Sequence, residues 1–75
     1  MEQIEKPLHV LQSFLNKNVF VVVKGNKEYR GTLVGYDVHI NLVLKDAEEV
    51  IENQSKGIFP TMIVRGDNVI YVSPS

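Results

Sequence analysis

Two polar turns carry the side chains best suited to chemistry. In the first turn, Asp37, His39 and Asn41 stand at every second position, so that a carboxylate, an imidazole and a carboxamide alternate with apolar residues. The second turn, Arg65-Gly66-Asp67, adds a guanidinium and another carboxylate. Apolar runs flank both turns, as is typical of turns between strands. We predict that the two turns meet in space and form one small binding pocket.

Catalysis is the least favoured interpretation of these residues. Asp37 and His39 suggest acid–base chemistry, but no nucleophile lies between them. The sequence has no cysteine, no G-x-S-x-G elbow and no H-E-x-x-H zinc motif. The two histidines are far apart, which disfavours a metal site. We therefore predict a binding protein that is not an enzyme and uses no metal or cofactor.

Length and charge narrow the class of protein. We predict a single domain over residues 1–75. A chain this short buries only about 60% of its unfolded surface, so its marginal stability favours self-association. The net charge of −1 argues against coating nucleic acid by charge alone, although a local site that reads bases is compatible with it. Without a membrane-length apolar run or a visible signal peptide, we expect a cytoplasmic protein with no membrane partner.

One helix precedes the strands that position the turns. Pro7 suits the first turn of a helix because its missing N–H needs no partner there. Leu8, Leu11 and Leu15 recur at three- and four-residue steps, which gives the segment one apolar face. This spacing predicts a helix over about 7–16.

Five strands are predicted after the helix. The β-branched and aromatic run Val19–Val23 is typical of a strand buried on both faces. Gly31 and Gly35 interrupt the second strand on one face and predict that it bends sharply. The predicted strands are Val19–Val23, Glu28–Asp37, Asn41–Ile51, Thr61–Val64 and Asn68–Val72, with a loop over Glu52–Pro60. The fold class is mostly β, with a short N-terminal helix followed by a strongly bent five-stranded antiparallel sheet that forms a small open barrel.

The last two strands predict an assembly. Both are apolar, and each would lie at an open edge of the sheet. Exposed apolar edges invite pairing with another chain. A head-to-tail contact between unlike edges closes into a ring when the rotation permits, and such a ring leaves no free edge.

These residues resemble the two motifs of the Sm-like (LSm) protein family. Gly31…Asp37-x-His39-x-Asn41 with the apolar run after it is similar to the first Sm motif, over about 19–51. Val64-Arg65-Gly66-Asp67-Asn68-Val69 with its following strand is similar to the second, over about 61–73. The resemblance covers nearly the whole chain. A short loop between the third and fourth strands, and the lack of a basic Arg-Gly tail after Ser75, are typical of the archaeal kind.

The resemblance implies both an architecture and a ligand. It implies the SH3-like Sm fold assembled into a homomeric ring, usually a heptamer. It also implies binding of single-stranded uridine-rich RNA in pockets around a central pore, in RNA processing, turnover or chaperoning, with RNA-processing proteins as possible partners. The RNA-binding residues that it indicates are His39, Asn41, Arg65, Gly66, Asp67 and Asp37.

Each role that the resemblance implies suits the chemistry of its residue. The flat ring of His39 can stack on an unpaired base, and the planar guanidinium of Arg65 can cover the other face. Asn41 offers a donor beside an acceptor, which matches O4 and N3–H of uracil. The main chain of Gly66 and Asp67 can bond to the base or sugar, because glycine allows close approach.

One prediction goes further than these roles. An ionised Asp37 only accepts hydrogen bonds, so accepting one N–H of Asn41 would fix which way the amide points. The flipped amide would match cytosine instead. We therefore predict that Asp37 sets the preference for uracil over cytosine.

Two other interpretations stay open. Taken singly, His39 is more often an ordinary surface residue of a turn, and Arg65-Gly66-Asp67 an ordinary hairpin turn. The chain would then be a structural or protein-interaction scaffold ring with weak or incidental RNA binding. A monomeric SH3-like peptide binder is the other possibility.

Overall fold

A computed structural model describes residues 6–75 and has one short helix followed by five strands. The elements are helix α1 (Pro7–Ser13) and strands β1 (Asn18–Val23), β2 (Lys27–Tyr36), β3 (Leu42–Ile51), β4 (Gln54–Val64) and β5 (Val69–Pro74), with a 3-10 turn at Gly66–Asn68. Each strand runs antiparallel to its neighbours, in the order β4-β3-β2-β1-β5. The predicted fold class is confirmed, and β4 and β5 form the two edges of the bent sheet.

The hydrophobic core lies on one face of this sheet. In β1, Val19, Val21 and Val23 are buried, whereas Phe20 and Val22 on the opposite face are only half-buried. The prediction that this strand is buried on both faces is therefore wrong, because only one face meets the core. Helix α1 contributes Leu11 to the core, which otherwise consists of Val19, Val21, Val23, Leu33, Leu42, Leu44, Ala47 and Val64.

Strand β2 bends at its glycines, as predicted. Its pairing with β3 shifts register between Arg30 and Thr32 and again between Leu33 and Gly35. At Gly31, an added Cβ would lie 2.9 Å from the main-chain oxygen of Lys45. Only glycine permits this approach without displacement, so Gly31 allows β2 to fold closely over β3.

The predicted loop over Glu52–Pro60 is wrong. Strand β4 begins at Gln54, which pairs with Ile51, so Glu52 and Asn53 alone make the turn. Residues 52–56 are polar, which favoured the loop prediction, but β4 is an edge strand that is exposed over most of its length. An edge strand also tolerates Pro60 and the bulge near Gly57.

Helix α1 ends at Ser13, earlier than the predicted end near residue 16. The chain after it pairs with β2 instead of continuing the helix. The N–H of Asn16 donates to the oxygen of Leu33 at 2.6 Å, and the N–H of Leu33 donates to the oxygen of Lys17 at 3.0 Å. Asn16 adopts a φ of 64°, which turns the chain out of the helix. Within residues 6–75, no helix has the length and apolar character needed to cross a membrane.

Candidate nucleic-acid interface

The two polar turns are in direct contact, as the sequence predicts. One joins β2 to β3, and the other joins β4 to β5 through the 3-10 turn. The N–H of Gly66 donates to Oδ1 of Asn41 at 2.7 Å. A Cβ on Gly66 would collide with the main-chain oxygen of His39 and lie 2.9 Å from the carbonyl carbon of Ile40. Glycine at position 66 is therefore what allows the turns to touch.

The carboxylate of Asp37 organises the first turn. Its Oδ1 accepts the N–H groups of His39 at 2.9 Å and Asn41 at 3.1 Å. Its Oδ2 accepts the side-chain amide of Asn41 at 3.0 Å. This side-chain bond from Asn41 is the main cause that lowers the pKa of Asp37, and the two main-chain bonds lower that pKa further. The charged carboxylate is thus the form that the turn favours.

The amide of Asn41 is oriented from both ends. Asp37 can only accept, so it must face Nδ2, and the N–H of Gly66 can only donate, so it must face Oδ1. In a flipped amide, Oδ1 would face the carboxylate oxygen of Asp37 and Nδ2 would face the N–H of Gly66, so neither hydrogen bond could form. The bonded amide keeps one N–H and one lone pair of Oδ1 for a ligand, and these form a donor beside an acceptor.

A cleft of about 450 Å³ opens at this contact, lined by His39, Asn41, Arg65, Gly66 and Asp67. His39 and Arg65 are exposed, which leaves an imidazole and a guanidinium at the surface of the cleft. The Nη2 of Arg65 lies 3.2 Å from Oδ2 of Asp67. Asp37 lines an adjoining cleft together with Asn41 and Arg65. The structure therefore brings all six predicted site residues together.

One residue of the site carries no role in the sequence-based prediction. Ile40 lies between His39 and Asn41, has a φ of 62° and packs against the hydrophobic core. A β-branched residue rarely adopts this backbone conformation. Its side chain is half-buried while its neighbour His39 is exposed. An apolar residue inside a polar turn is a signal for such an anchor, but the exposed Val38 of the same turn carries that signal too.

The main chain of Gly66, which was predicted to bond to the base or sugar, is already bonded within the protein. Its N–H is bonded to Asn41, and its carbonyl accepts the N–H of Val69. Binding of a base or sugar by the main chain of Gly66 and Asp67 stays a prediction. The bond to Asn41 gives Gly66 a positioning role in addition.

Comparison of the sequence identifies similar proteins over nearly the whole chain. The family model of the LSM domain matches residues 9–74. A protein of Thermoplasma acidophilum assigned as snRNP Sm-like is 56% identical over 70 residues, which cover 93% of this chain and 84% of that relative.

Solved structures agree with this match. The Sm protein of Pyrococcus abyssi, solved in complex with a uridine heptamer, has a TM-score of 0.91 and 42% identity, with coverage of 95% of this chain and 100% of that one. The SmAP1 heptamer of P. aerophilum has a TM-score of 0.89 and 38% identity, with coverage of 97% of both chains.

Proposed function

Because the chain belongs to the LSM-domain family of Sm-like proteins, we propose that it forms a homomeric ring, most simply a heptamer, that binds single-stranded uridine-rich RNA. The pockets lie around the central pore, one in each protomer. Such a ring acts in RNA processing, turnover or chaperoning, where proteins of the same pathway are its further partners. The complex of the P. abyssi relative with a uridine heptamer supports this ligand.

The bonded amide of Asn41 is the observation that carries the proposal. Its remaining N–H and its remaining lone pair stand side by side. Uracil presents an acceptor at O4 beside a donor at N3, so the two edges are complementary. Cytosine presents the reverse order and would place donor against donor and acceptor against acceptor. The pocket is therefore proposed to select uracil by two hydrogen bonds.

Stacking supplies the part of the affinity that does not depend on the sequence of the RNA. We assign His39 and Arg65 to the two faces of the base, because both planar groups line the cleft with Asn41. Stacking of this kind contributes about 1–3 kcal/mol per base. Asp67 holds the guanidinium through an ion pair of 3.2 Å, which favours one placement of a long side chain.

The edges of the sheet support the ring. Strand β4 carries Ile63 at 70% exposure, and strand β5 carries Ile70 at 60% exposure. Each strand lies at the end of the sheet order, so each has one side free of strand partners within residues 6–75. Pairing of β4 with β5 of the next protomer covers both apolar edges and repeats around a ring. The heptameric assembly of the P. aerophilum relative agrees with this arrangement.

We further propose that the protein works by binding alone and resides in the cytoplasm. The described pocket has a carboxylate and an imidazole, but Asp37 is bonded to Asn41 and to main-chain N–H groups rather than to the ring of His39. A sequence without cysteine suits a reducing compartment.

The decisive experiment is a titration with oligo-U, oligo-C and oligo-A of equal length, alongside the mass in solution. We expect an oligomer that binds oligo-U most tightly. His39→Ala and Arg65→Ala should each weaken oligo-U binding by about 1–3 kcal/mol per pocket and leave the mass unchanged. His9→Ala is the matched control, since His9 is also exposed but lies on helix α1. An intact ring without a preference for uridine would instead favour the scaffold interpretation.

A further inference from the structure

The proposed base pocket does not neutralise the RNA backbone. Its charged groups are Asp37, Arg65 and Asp67, which together give one positive and two negative charges. The single cation is already paired with Asp67 at 3.2 Å. Every nucleotide brings a phosphate, and RNA affinity generally requires cations that release its counterions. Among the residues that the structure describes, the base pocket alone therefore leaves the RNA phosphates without a free cation.

The structure places Lys24 beside the second turn of the pocket. The N–H of Lys24 donates to the oxygen of Asn68 at 3.0 Å. Asn68 ends the 3-10 turn that begins at Gly66. The residue before Lys24 also pairs with the residue after Asn68, because Val23 and Val69 are partners in the β1–β5 ladder. Two independent main-chain contacts thus fix the position of Lys24 relative to the pocket.

Another cleft lies between the base pocket and Val23, the strand residue that precedes Lys24. It has a volume of about 290 Å³ and shares Arg65 with the base pocket. Asn68 and Val23 line it as well, and Lys24 directly follows Val23. The cleft therefore connects Arg65 of the base pocket with Val23, the residue directly before Lys24.

The side chain of Lys24 is available for a ligand. Lys24 is exposed, and within residues 6–75 its ammonium has no ion pair. By contrast, the ammonium of Lys56 on β4 donates to Oε1 of Gln54 at 3.2 Å. An exposed ammonium on a flexible stem suits a phosphate, which it contacts as a point charge.

We propose that Lys24 binds the phosphate backbone of the RNA whose base occupies the adjacent pocket. This inference rests on the proposed function and adds a second subsite with a different chemistry. The pocket reads the base, whereas Lys24 contributes affinity that is independent of sequence. A ring repeats the lysine once in every protomer, so a circle of ammonium groups runs beside the circle of base pockets.

The test is the salt dependence of oligo-U binding by Lys24→Met. Methionine keeps the apolar stem and the main-chain N–H that bonds to Asn68, so the turn is preserved. Each engaged lysine should contribute about fivefold to affinity at 0.1 M salt, and its loss should flatten the plot of log K against log salt by about 0.7. The ratio of oligo-U to oligo-C affinity should not change. Lys24→Arg should retain most of the affinity, and Lys56→Met should match the wild-type protein.

A modified ligand separates the phosphate from every other contact. Oligo-U with uncharged methylphosphonate linkages should bind equally to the wild-type protein and to Lys24→Met. Equal affinity and equal salt slope of the two proteins with ordinary oligo-U would overturn the inference, as would a changed ratio of oligo-U to oligo-C. Failure of the proposed function has a different signature, because the wild-type protein would then show no preference for uridine at all.

Discussion

At the scale of single residues, the candidate site depends on how one amide is held. Asn41 can discriminate two pyrimidines only if its oxygen and nitrogen keep their places. Asp37 fixes Nδ2 and the N–H of Gly66 fixes Oδ1. Two partners of opposite character make the flipped state unfavourable at both ends. The orientation on which the proposed specificity depends is thus set within the protein before any ligand binds.

Asp37→Asn tests this directly. The new amide can donate as well as accept, so it no longer opposes a flipped Asn41, and only the N–H of Gly66 still favours the native orientation. We expect the ratio of oligo-U to oligo-C affinity to narrow by about fivefold per pocket, which corresponds to roughly 1 kcal/mol for one hydrogen bond. Titration of both oligonucleotides measures the ratio, and circular dichroism checks the fold. An unchanged ratio in a folded protein would refute the role of Asp37.

The same contact predicts a pKa change. In the native protein the pKa of Asp37 is lowered, chiefly by the side chain of Asn41. Ionised Asp37 therefore stabilises the folded protein fully at a pH above its ordinary pKa of about 3.9. This contribution to the free energy of unfolding is lost as the pH falls through the lowered pKa. In Asn41→Ala we expect the pKa of Asp37 to rise toward its ordinary value, as followed by NMR titration of the carboxyl carbon.

His39→Ala is the control for this titration. It keeps the main-chain N–H that bonds to Asp37, so the pKa of Asp37 should stay low. An equal rise of the pKa in both variants would show that the Asn41 side chain is not the main cause.

The sequence predicted that two turns meet, but it did not predict every contact that joins them. The six residues stand in two turns that are visible in the sequence, whereas their proposed roles in RNA binding come from the resemblance to the Sm-like family. The close approach of Gly66 to His39 is not visible there, because it depends on how two distant segments pack. The anchoring of Ile40 was missed for a related reason. Its φ of 62° occurs together with packing against the core, and local propensity favours other conformations for isoleucine.

At the scale of elements, the bend of β2 brings the turns to their places. Gly31→Ala would put a Cβ 2.9 Å from the main-chain oxygen of Lys45 and 3.1 Å from Cα of Ala47. Because backbone atoms cannot move aside easily, we expect a loss of about 1–3 kcal/mol in the free energy of unfolding. Denaturant unfolding at a fixed protomer concentration measures this loss.

Gly35→Ala is the matched control within the same strand. Its added Cβ would meet only the side chain of Val43, at 3.6 Å, which is an ordinary contact. The free energy of unfolding should therefore change little, or rise slightly through the lower entropy of the unfolded chain. Equal destabilisation by the two substitutions would mean that the bend does not depend on close approach at Gly31.

Edge strands explain where the prediction of elements failed. The segment 54–60 begins with three polar residues and contains Gly57 and Pro60, features that are typical of a loop. It is nevertheless paired with β3, because an edge strand needs hydrogen bonds on one side only. The central strands were predicted more accurately, since burial of their alternate residues leaves a clear apolar pattern.

At the scale of the whole molecule, two kinds of affinity must be distinguished. All the groups proposed to touch uracil belong to one chain, so a single protomer carries a complete base pocket. We therefore predict that a ring adds no new contact to that pocket but presents several pockets to one RNA. Binding at one pocket raises the effective concentration of RNA at the next, and linked sites commonly gain about 10²- to 10⁴-fold in this way.

Ile70→Lys separates these two contributions. Ile70 lies on β5, is 60% exposed and would be covered by the neighbouring protomer. A buried unpaired ammonium is strongly unfavourable, so we expect the mass to fall toward the 8.5 kDa of one chain. Affinity for oligo-U should fall by the factor due to multivalency, whereas affinity for uridine monophosphate should be retained. Light scattering and calorimetric titration measure the two effects.

Val38→Lys is the control for the mass, since Val38 is 71% exposed but lies in a turn rather than on an edge strand. It should leave the ring intact. If Ile70→Lys kept the ring, β5 would not be the interface. If a folded protomer of that variant lost uridine monophosphate as well, the pocket would need residues from two protomers. Retained monophosphate binding in a folded single chain would instead locate specificity in the protomer and avidity in the ring.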